Sequence, residues 1–202
     1  LSPPSMPPGS VLENNGSSTF SESLILTVAH RGGKKRNRMC SLASQCHFIN
    51  EVANLCEAVG ADIQDVAKAM GLDKRIGSKY LNSGPGFGGS CFPKDVKAFS
   101  ATAKKLGIDL SIVNAVNESN QKRPLKIASR ISQYYNDDLK NITLTILGLS
   151  FKPNTDDIRE STSLIIAREL LNKSAKIKVY DPKAMENVKI EMGELEFCEN
   201  AY

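Results

Sequence analysis

Between Asn141 and Asp181 the sequence changes period twice within about 40 residues, and that change limits the fold more than any other feature. Asn141-Ile-Thr-Leu-Thr-Ile-Leu-Gly-Leu149 is apolar and β-branched, as a buried strand requires. Ser161 then caps a helix carrying Leu164, Ile165, Ala167, Leu170 and Leu171, and Ala175-Lys-Ile-Lys-Val-Tyr-Asp181 reads as a second strand. Strand, helix and strand so closely joined form a βαβ unit, which requires parallel pairing because only a long crossover returns the chain to the same direction. Two parallel strands and one helix do not bury both faces of a sheet, so the reading expects a domain cut short, and one that is first to open. A common dinucleotide site would place Gly-x-Gly-x-x-Gly after the first strand. Here stands Gly148-Leu-Ser-Phe-Lys-Pro153, so this unit is not expected to be a standard site of that kind. Asp181 is assigned to ordering an Asp-Pro turn.

Ahead of this unit the period is helical. Phe48, Val52, Leu55 and Val59 recur at steps of four and three, with Cys56 on the buried side, and Gly60 stops the helix. Asp62 is an N-cap for a second helix with an apolar stripe of Ile63, Val66, Ala67 and Met70, ended by Gly71. A third helix carries Val96, Phe99, Ala103 and Leu106 and ends at Gly107. Pro124 has no N–H to donate, so Leu110–Gln121 and Pro124–Tyr134 are read as two collinear pieces. The division is thus a helical domain over 47–135 and a partial α/β domain over 140–202. Residues 1–46 are dense in Pro, Ser, Asn and Gly at first and basic from Lys34 to Arg38. They are assigned to loop or disorder and hypothesised not to be native sequence.

Composition narrows the function classes. A formal charge of +4 over 202 residues, much of it in one local run, does not mark a nucleic-acid binder. Five cysteines in no regular spacing argue against a disulfide framework and for a reducing, cytoplasmic setting. Two histidines and no Cys-x-x-Cys pair give no basis for a zinc site, and no apolar run has the length of a membrane span.

The chemistry concentrates in Asn82-Ser-Gly-Pro-Gly-Phe-Gly-Gly-Ser-Cys-Phe-Pro-Lys-Asp95. Gly84, Gly86, Gly88 and Gly89 free the backbone for close approach of a ligand, and Pro93 suits the first turn of the following helix. Cys91 then lies beside the positive end of that helix, where an anion is favoured, with Lys94 adding charge and Asp95 one turn away to hold a water or a proton. From the residues alone two readings stay open: a nucleophilic thiol, or a small buried hydrophobe after a common glycine turn.

Gly86-Phe-Gly-Gly-Ser-Cys-Phe-Pro-Lys-Asp95 resembles the catalytic-cysteine motif of the UDP-glucose/GDP-mannose dehydrogenase family, best in its UDP-glucose branch. Phe48-Ile-Asn-Glu-Val-Ala-Asn-Leu-Cys-Glu57, Gly60-Ala-Asp62, Gly71-Leu-Asp-Lys-Arg-Ile-Gly77 and Gly148-Leu-Ser-Phe-Lys-Pro-Asn-Thr-Asp-Asp-Ile-Arg-Glu-Ser161 resemble further family segments in the same order. The resemblance covers about three quarters of the chain. It implies a mainly α central dimerisation domain followed by the start of a Rossmann-like UDP-binding domain, truncated. The implied activity is the two-step, NAD-dependent oxidation of UDP-glucose to UDP-glucuronate through a Cys91 thioester, with Asp95 positioning the water. The resemblance also implies that Tyr80, Leu81, Asn82, Ser83, Gly84, Phe87, Gly88, Phe151 and Lys152 meet the substrate and that Arg75 reaches the sugar of a neighbouring subunit. Lys94 and Arg159 serve NAD, and the chain forms a homodimer or higher homo-oligomer. The family also carries a lysine and an asparagine before Phe48. Their spacing lands on Lys35 and Met39, whose flanks do not match, so Lys35 is read as coincidence. The polypeptide by itself is expected to be inactive. The alternatives are a non-catalytic nucleotide-sugar-binding or dimerisation module, and a dehydrogenase for GDP-mannose or a UDP-N-acetyl-hexosamine.

Overall fold

The computed structural model describes residues 31–201. Four helices come first: α1 (Arg31–Val59), α2 (Ile63–Gly71), α3 (Phe92–Lys105) and α4 (Ser111–Tyr134). A parallel α/β unit follows, with β1 (Thr143–Leu147), α5 (Thr162–Asn172), β2 (Lys176–Tyr180), α6 (Met185–Glu191) and β3 (Glu196–Phe197). The architecture is a mainly helical domain followed by a parallel α/β unit, as the periodicity predicts, and the unit is a partial Rossmann-like domain, as the resemblance implies.

Helix α1 starts at Arg31 rather than near Phe48, which corrects the reading of loop or disorder for the described residues before 47. Cys40 and Ala43 are buried against Val96 of α3 and Val116 of α4, with Phe87, Phe92, Phe99 and Val113 packed around them. The buried face of this stretch is a thiol and an alanine among Lys, Arg, Asn and Ser, so it carries little apolar period to read. Residues 1–30, with the short apolar run at 24–29, lie outside the described residues. Further along α1, Ile49 and Cys56 are buried, while Phe48, Leu55 and Val59 remain 50%, 63% and 68% exposed. The stripe has helical spacing but faces outward.

Asp62 caps α2 as expected, its Oδ1 accepting the Gln64 N–H at 2.8 Å. Helix α4 corrects the expectation of two pieces, since it is continuous through a buried Pro124. Proline forfeits the one N–H that would have reached the Asn120 carbonyl, and packing on both sides holds the helix together. Its first half meets the core around Cys40 through Val116. Its second half enters the α/β core through Ala128, with Ile131 and Tyr135 beside it.

The sheet has the order β1-β2-β3, all parallel, with Thr143 opposite Lys176, Leu147 opposite Tyr180 and Val179 opposite Phe197. The expectation of only two strands is therefore corrected. Glu196–Phe197 is too short and too acidic in its surroundings to show a period of two, and α6, seven residues with Val188 its one buried side chain, is too short to show a helical period. With them the unit closes a core of Leu139, Leu149, Leu164, Ala167, Leu170, Ile177, Val179, Ala184, Val188, Met192 and Leu195.

Burial within the α/β unit is uneven: β1 alternates exposed and half-buried residues, and β2 is the strand that lies inside. Helix α2 contains no buried residue, whereas Ile177 and Val179 of β2 are 3% and 0% exposed. Amides of β2 are expected to exchange more slowly than those of α2, because exchange follows local burial and contact density. Peptide-resolved hydrogen exchange checks this, and equal protection of the two would contradict it.

Candidate active site

Cys91 occupies the N-cap position of α3, exposed, with Pro93 in the first turn. Its Sγ lies 3.9 Å from the Ser90 Oγ. Around it stand aromatic rings: Phe87 meets Phe92 edge-on at 5.4 Å, and Tyr80 lies 6.2 Å from Phe92. One turn into the helix the Asp95 N–H donates to the Cys91 carbonyl at 2.9 Å, and the Asp95 side chain is buried. Cys40 of α1 lies beside it. Burial first, and then the Asp95 charge, push the Cys40 thiol up. Burial does the same to Cys46.

The loop before Cys91 is held from two helices. Gly84 donates its N–H to the Asn50 Oδ1 at 2.8 Å, and its carbonyl accepts from the Arg123 Nε at 3.0 Å. Arg123 also reaches the Asn54 Oδ1 at 2.6 Å and the Asn50 carbonyl at 3.3 Å. Asn120 grips Phe87 twice, with Oδ1 accepting the Phe87 N–H and Nδ2 donating to the Phe87 carbonyl, both at 2.9 Å. Asn50, Asn120 and Arg123 were not found from sequence. Each acts on backbone more than 30 positions away, and no local motif records such a contact.

The α/β unit closes the other side of the loop. The Gly89 N–H donates to the Arg159 carbonyl at 2.8 Å. A Cβ on Gly88 would sit 2.1 Å from the Glu160 carbonyl oxygen, and one on Gly89, at φ +81°, 2.4 Å from the Phe151 ring. These two glycines are thus required by close approach. Glu160 itself takes a left-handed backbone, φ 52°, and pairs with Lys97 of α3 at 2.7 Å. Arg159 is held by Asp157 through Nε and Nη2 at 2.9 and 2.6 Å. The Arg159 hydrogen bond is the chief reason the Asp157 carboxyl is pushed down to about 2. A groove of about 630 Å³ runs beside Cys91, lined by Lys94, Lys97, Arg159 and Glu160 with Gly89, Ser90 and Pro93.

A second cavity of about 540 Å³ opens at the carboxyl ends of β1 and β2, where Pro85 and Gly86 of the loop face Gly148, Phe151, Lys152 and Asp181. Parallel sheets bind ligands at that end. Asp181 shapes it as a turn organiser, as its sequence position predicts. One of its oxygens accepts from Lys183 and Ala184 N–H at 2.8 Å each, the other from Leu149 at 2.8 Å and Ser150 at 3.3 Å.

Most expected residues meet here. Cys91, Asp95, Lys94, Phe87, Gly88, Arg159, Phe151 and Lys152 border the loop or its two cavities, and Lys152 Nζ lies 5.2 Å over the Phe151 ring. Leu81 is buried, which leaves its backbone as what it can offer. Ser83 lines another cavity with Arg123 and Arg130. Arg75 points to neither cavity beside the loop; its side chain is 90% exposed and bound to Asp73.

Exposure separates the thiols. Cys91 is exposed, Cys40 and Cys56 are buried, and Cys46 and Cys198 are intermediate. Limiting iodoacetamide on the native chain is expected to modify Cys91 first, as peptide mass spectrometry would show. Faster labelling of Cys40 than of Cys91 would contradict the packing of α1.

Fold and site define a class in which a helical unit carries a thiol up to the loops at the carboxyl ends of a parallel α/β sheet. The chain matches the UDP-glucose/GDP-mannose dehydrogenase family, central domain, over residues 35–122, and the same family's UDP binding domain over residues 145–202. It is 48% identical over 146 residues to the UDP-glucose 6-dehydrogenase of Rickettsia bellii (strain RML369-C), covering 72% of this chain and 34% of the relative. Against UDP-glucose 6-dehydrogenase TuaD of Bacillus subtilis (strain 168) the identity is 43% over 162 residues, 80% of this chain and 35% of the relative. The structure of a UDP-glucose dehydrogenase from the hyperthermophilic archaeon Pyrobaculum islandicum superposes with a TM-score of 0.81 at 35% identity, covering 91% of this chain and 46% of that one. The chain belongs to the UDP-glucose/GDP-mannose dehydrogenase family. It spans about a third of the length of the curated relatives it matches.

Proposed function

We propose that this chain carries the thiol-bearing and sugar-nucleotide-binding part of a UDP-glucose 6-dehydrogenase, which oxidises UDP-glucose to UDP-glucuronate. The observation that carries this is Cys91, exposed at the start of α3 between a glycine loop and two cavities. The cavity at the carboxyl ends of β1 and β2 takes the UDP moiety, with Phe151 and Lys152 at its wall. The loop from Tyr80 through Leu81, Asn82, Ser83 and Gly84 to Phe87 and Gly88 wraps the sugar with backbone groups.

NAD⁺, when bound, would supply the oxidising power, one molecule accepting a single hydride as the C6 alcohol becomes the aldehyde and a second accepting another as the Cys91 adduct becomes the thioester. The residues described fit one flank of it: Lys94 and Arg159 offer cations to its phosphates, while the turn after β1 has no Gly-x-Gly-x-x-Gly. Cys91 adds its sulfur to the aldehyde carbon, and the carbonyl oxygen takes up a proton, giving a hemithioacetal. After the second oxidation Asp95 positions a water against the thioester carbon. The C–S bond breaks, the sulfur regains a proton and the carboxylate leaves. Lys94 and the α3 amides face the oxygen where negative charge develops. A second copy of the chain completes the assembly. The outward stripe of Phe48, Leu55 and Val59 supports that contact, and Arg75 is exposed to reach across it. No described helix is long and apolar enough to cross a membrane, which is compatible with a cytoplasmic setting.

The test needs no turnover. Saturating UDP-glucose is expected to slow alkylation of Cys91 severalfold, and the 6-aldehyde of the same sugar nucleotide to slow it further by forming the hemithioacetal. GDP-mannose or a UDP-N-acetyl-hexosamine should protect less. Absence of protection by either UDP-glucose compound would sink the reading, and better protection by another sugar nucleotide would redirect it.

A further inference from the structure

Among the described residues no backbone–backbone hydrogen bond is made by residues 82–88, between the Leu81 N–H to Ser78 and the Gly89 N–H to Arg159. Side chains hold this stretch instead, and among the described residues Asn120 is the one side chain that bonds both the N–H and the carbonyl of a single loop residue, Phe87. A carboxamide does both at once, holding an acceptor oxygen and a donor nitrogen side by side on one planar group. A carboxylate accepts only, and an aliphatic side chain does neither. The contact is tight, since a Cβ on Gly86 would fall 2.9 Å from the Asn120 Oδ1. Its effect reaches the thiol, because the Phe87 ring is braced edge-on against Phe92, the neighbour of Cys91.

We propose that Asn120 is a positioning residue: by clamping the Phe87 peptide it fixes the 82–88 loop in the form that receives the sugar. The consequence for the sugar rests on the sugar-nucleotide reading above, whereas the clamp on the loop does not. Arg123 and Asn50 secure the far end of the same loop at Gly84, so Asn120 governs its half nearest the sulfur. The neighbouring turn of α4 gives the clamp a rigid base through buried Pro124.

The test compares the full chain with Asn120→Ala and Asn120→Asp. Hydrogen exchange by mass spectrometry is followed for peptides within residues 80–91 and, as a reference, within β2. Affinities for UDP-glucose and for UDP are measured by calorimetry. Both variants are expected to speed loop exchange about tenfold, to leave β2 unchanged, and to weaken UDP-glucose severalfold while sparing UDP, which lacks the sugar. Aspartate should fail like alanine because it sets a carboxylate against the Phe87 carbonyl. Unchanged loop exchange overturns the proposal, as does a rise shared equally by β2, which would make the role general stability. Faster loop exchange with unaltered UDP-glucose affinity also overturns it. If the unmodified chain binds no UDP-glucose, the substrate reading fails, and the exchange comparison alone decides whether Asn120 sets the loop.

Discussion

Replacing Gly88 by alanine is expected to force the glycine loop away from the α/β unit. The added methyl would lie 2.1 Å from the Glu160 carbonyl oxygen and 2.9 Å from its carbon. Backbone cannot yield as a flexible side chain can, so the loop or the Glu160 turn must shift. Overpacking of this kind costs about 1–3 kcal/mol, and this contact belongs at the upper end. Gly89→Ala meets the Phe151 ring and adds a positive φ, for which a side chain costs about 1–3 kcal/mol. Gly84→Ala, in the same loop with nothing within 4 Å of the new methyl, is expected to stay within about 0.5 kcal/mol of the parent. Urea denaturation of the three variants checks the ranking. A Gly88→Ala variant as stable as Gly84→Ala would mean that loop and α/β unit do not meet as described.

Removal of the Asp181 carboxylate should be comparably severe. Asp181→Ala leaves four backbone N–H groups, from Leu149, Ser150, Lys183 and Ala184, without their acceptor. Hydrogen bonds to a charged group contribute about 1.5–3 kcal/mol each, and solvent replaces some of those lost, so a net loss of about 3–5 kcal/mol is expected. The carboxylate also makes stability depend on pH. Burial pushes its pKa up, but the four backbone donors together outweigh burial and hold it below the ordinary carboxylate range. A carboxyl depressed in the folded state contributes stability that is complete above the unfolded value of about 4 and is lost as pH falls through the folded value. Asp157, at about 2, acts in the same direction. Acid unfolding should therefore be shallower in Asp181→Asn than in the parent, and an unchanged acid limb would contradict the bonding of Asp181.

The parts legible in the sequence were those that announce themselves locally. The Asp62 cap, Pro93 at the start of α3, the switch to a parallel βαβ unit and the Asp181 turn each need only neighbouring residues, and each stands where the pattern put it. What escaped depends on distance or on context. Pro124 breaks a helix in isolation, yet here it lies inside α4 because the two cores on either side hold more than the one bond it removes. Phe48, Leu55 and Val59 show that a period reports an element without reporting which face is covered. Asn50 stands in a family-like segment that assigns it no role, and Asn120 and Arg123 bear no motif. Their role lies in which backbone groups of the distant loop they bond.

Helix α4 has a bearing on how this family is divided. The two matched stretches end at residue 122 and begin again at residue 145, yet Arg123, Pro124, Ala128, Ser132 and Leu139 fall between them and are engaged or buried. A chimera joined at residue 122 would inherit Asn120 from one parent and Arg123 from the other, whereas one joined near residue 145 would ask one parent's Ala128 to fit the other's sheet. Recombination between relatives should succeed where the crossover spares this rod whole, for instance in the exposed turn around Gly107 to Asp109, and should yield insoluble products when it cuts through. The unit of exchange is then a helix with a core at each end, and the interval between the two matched stretches is not where the molecule comes apart.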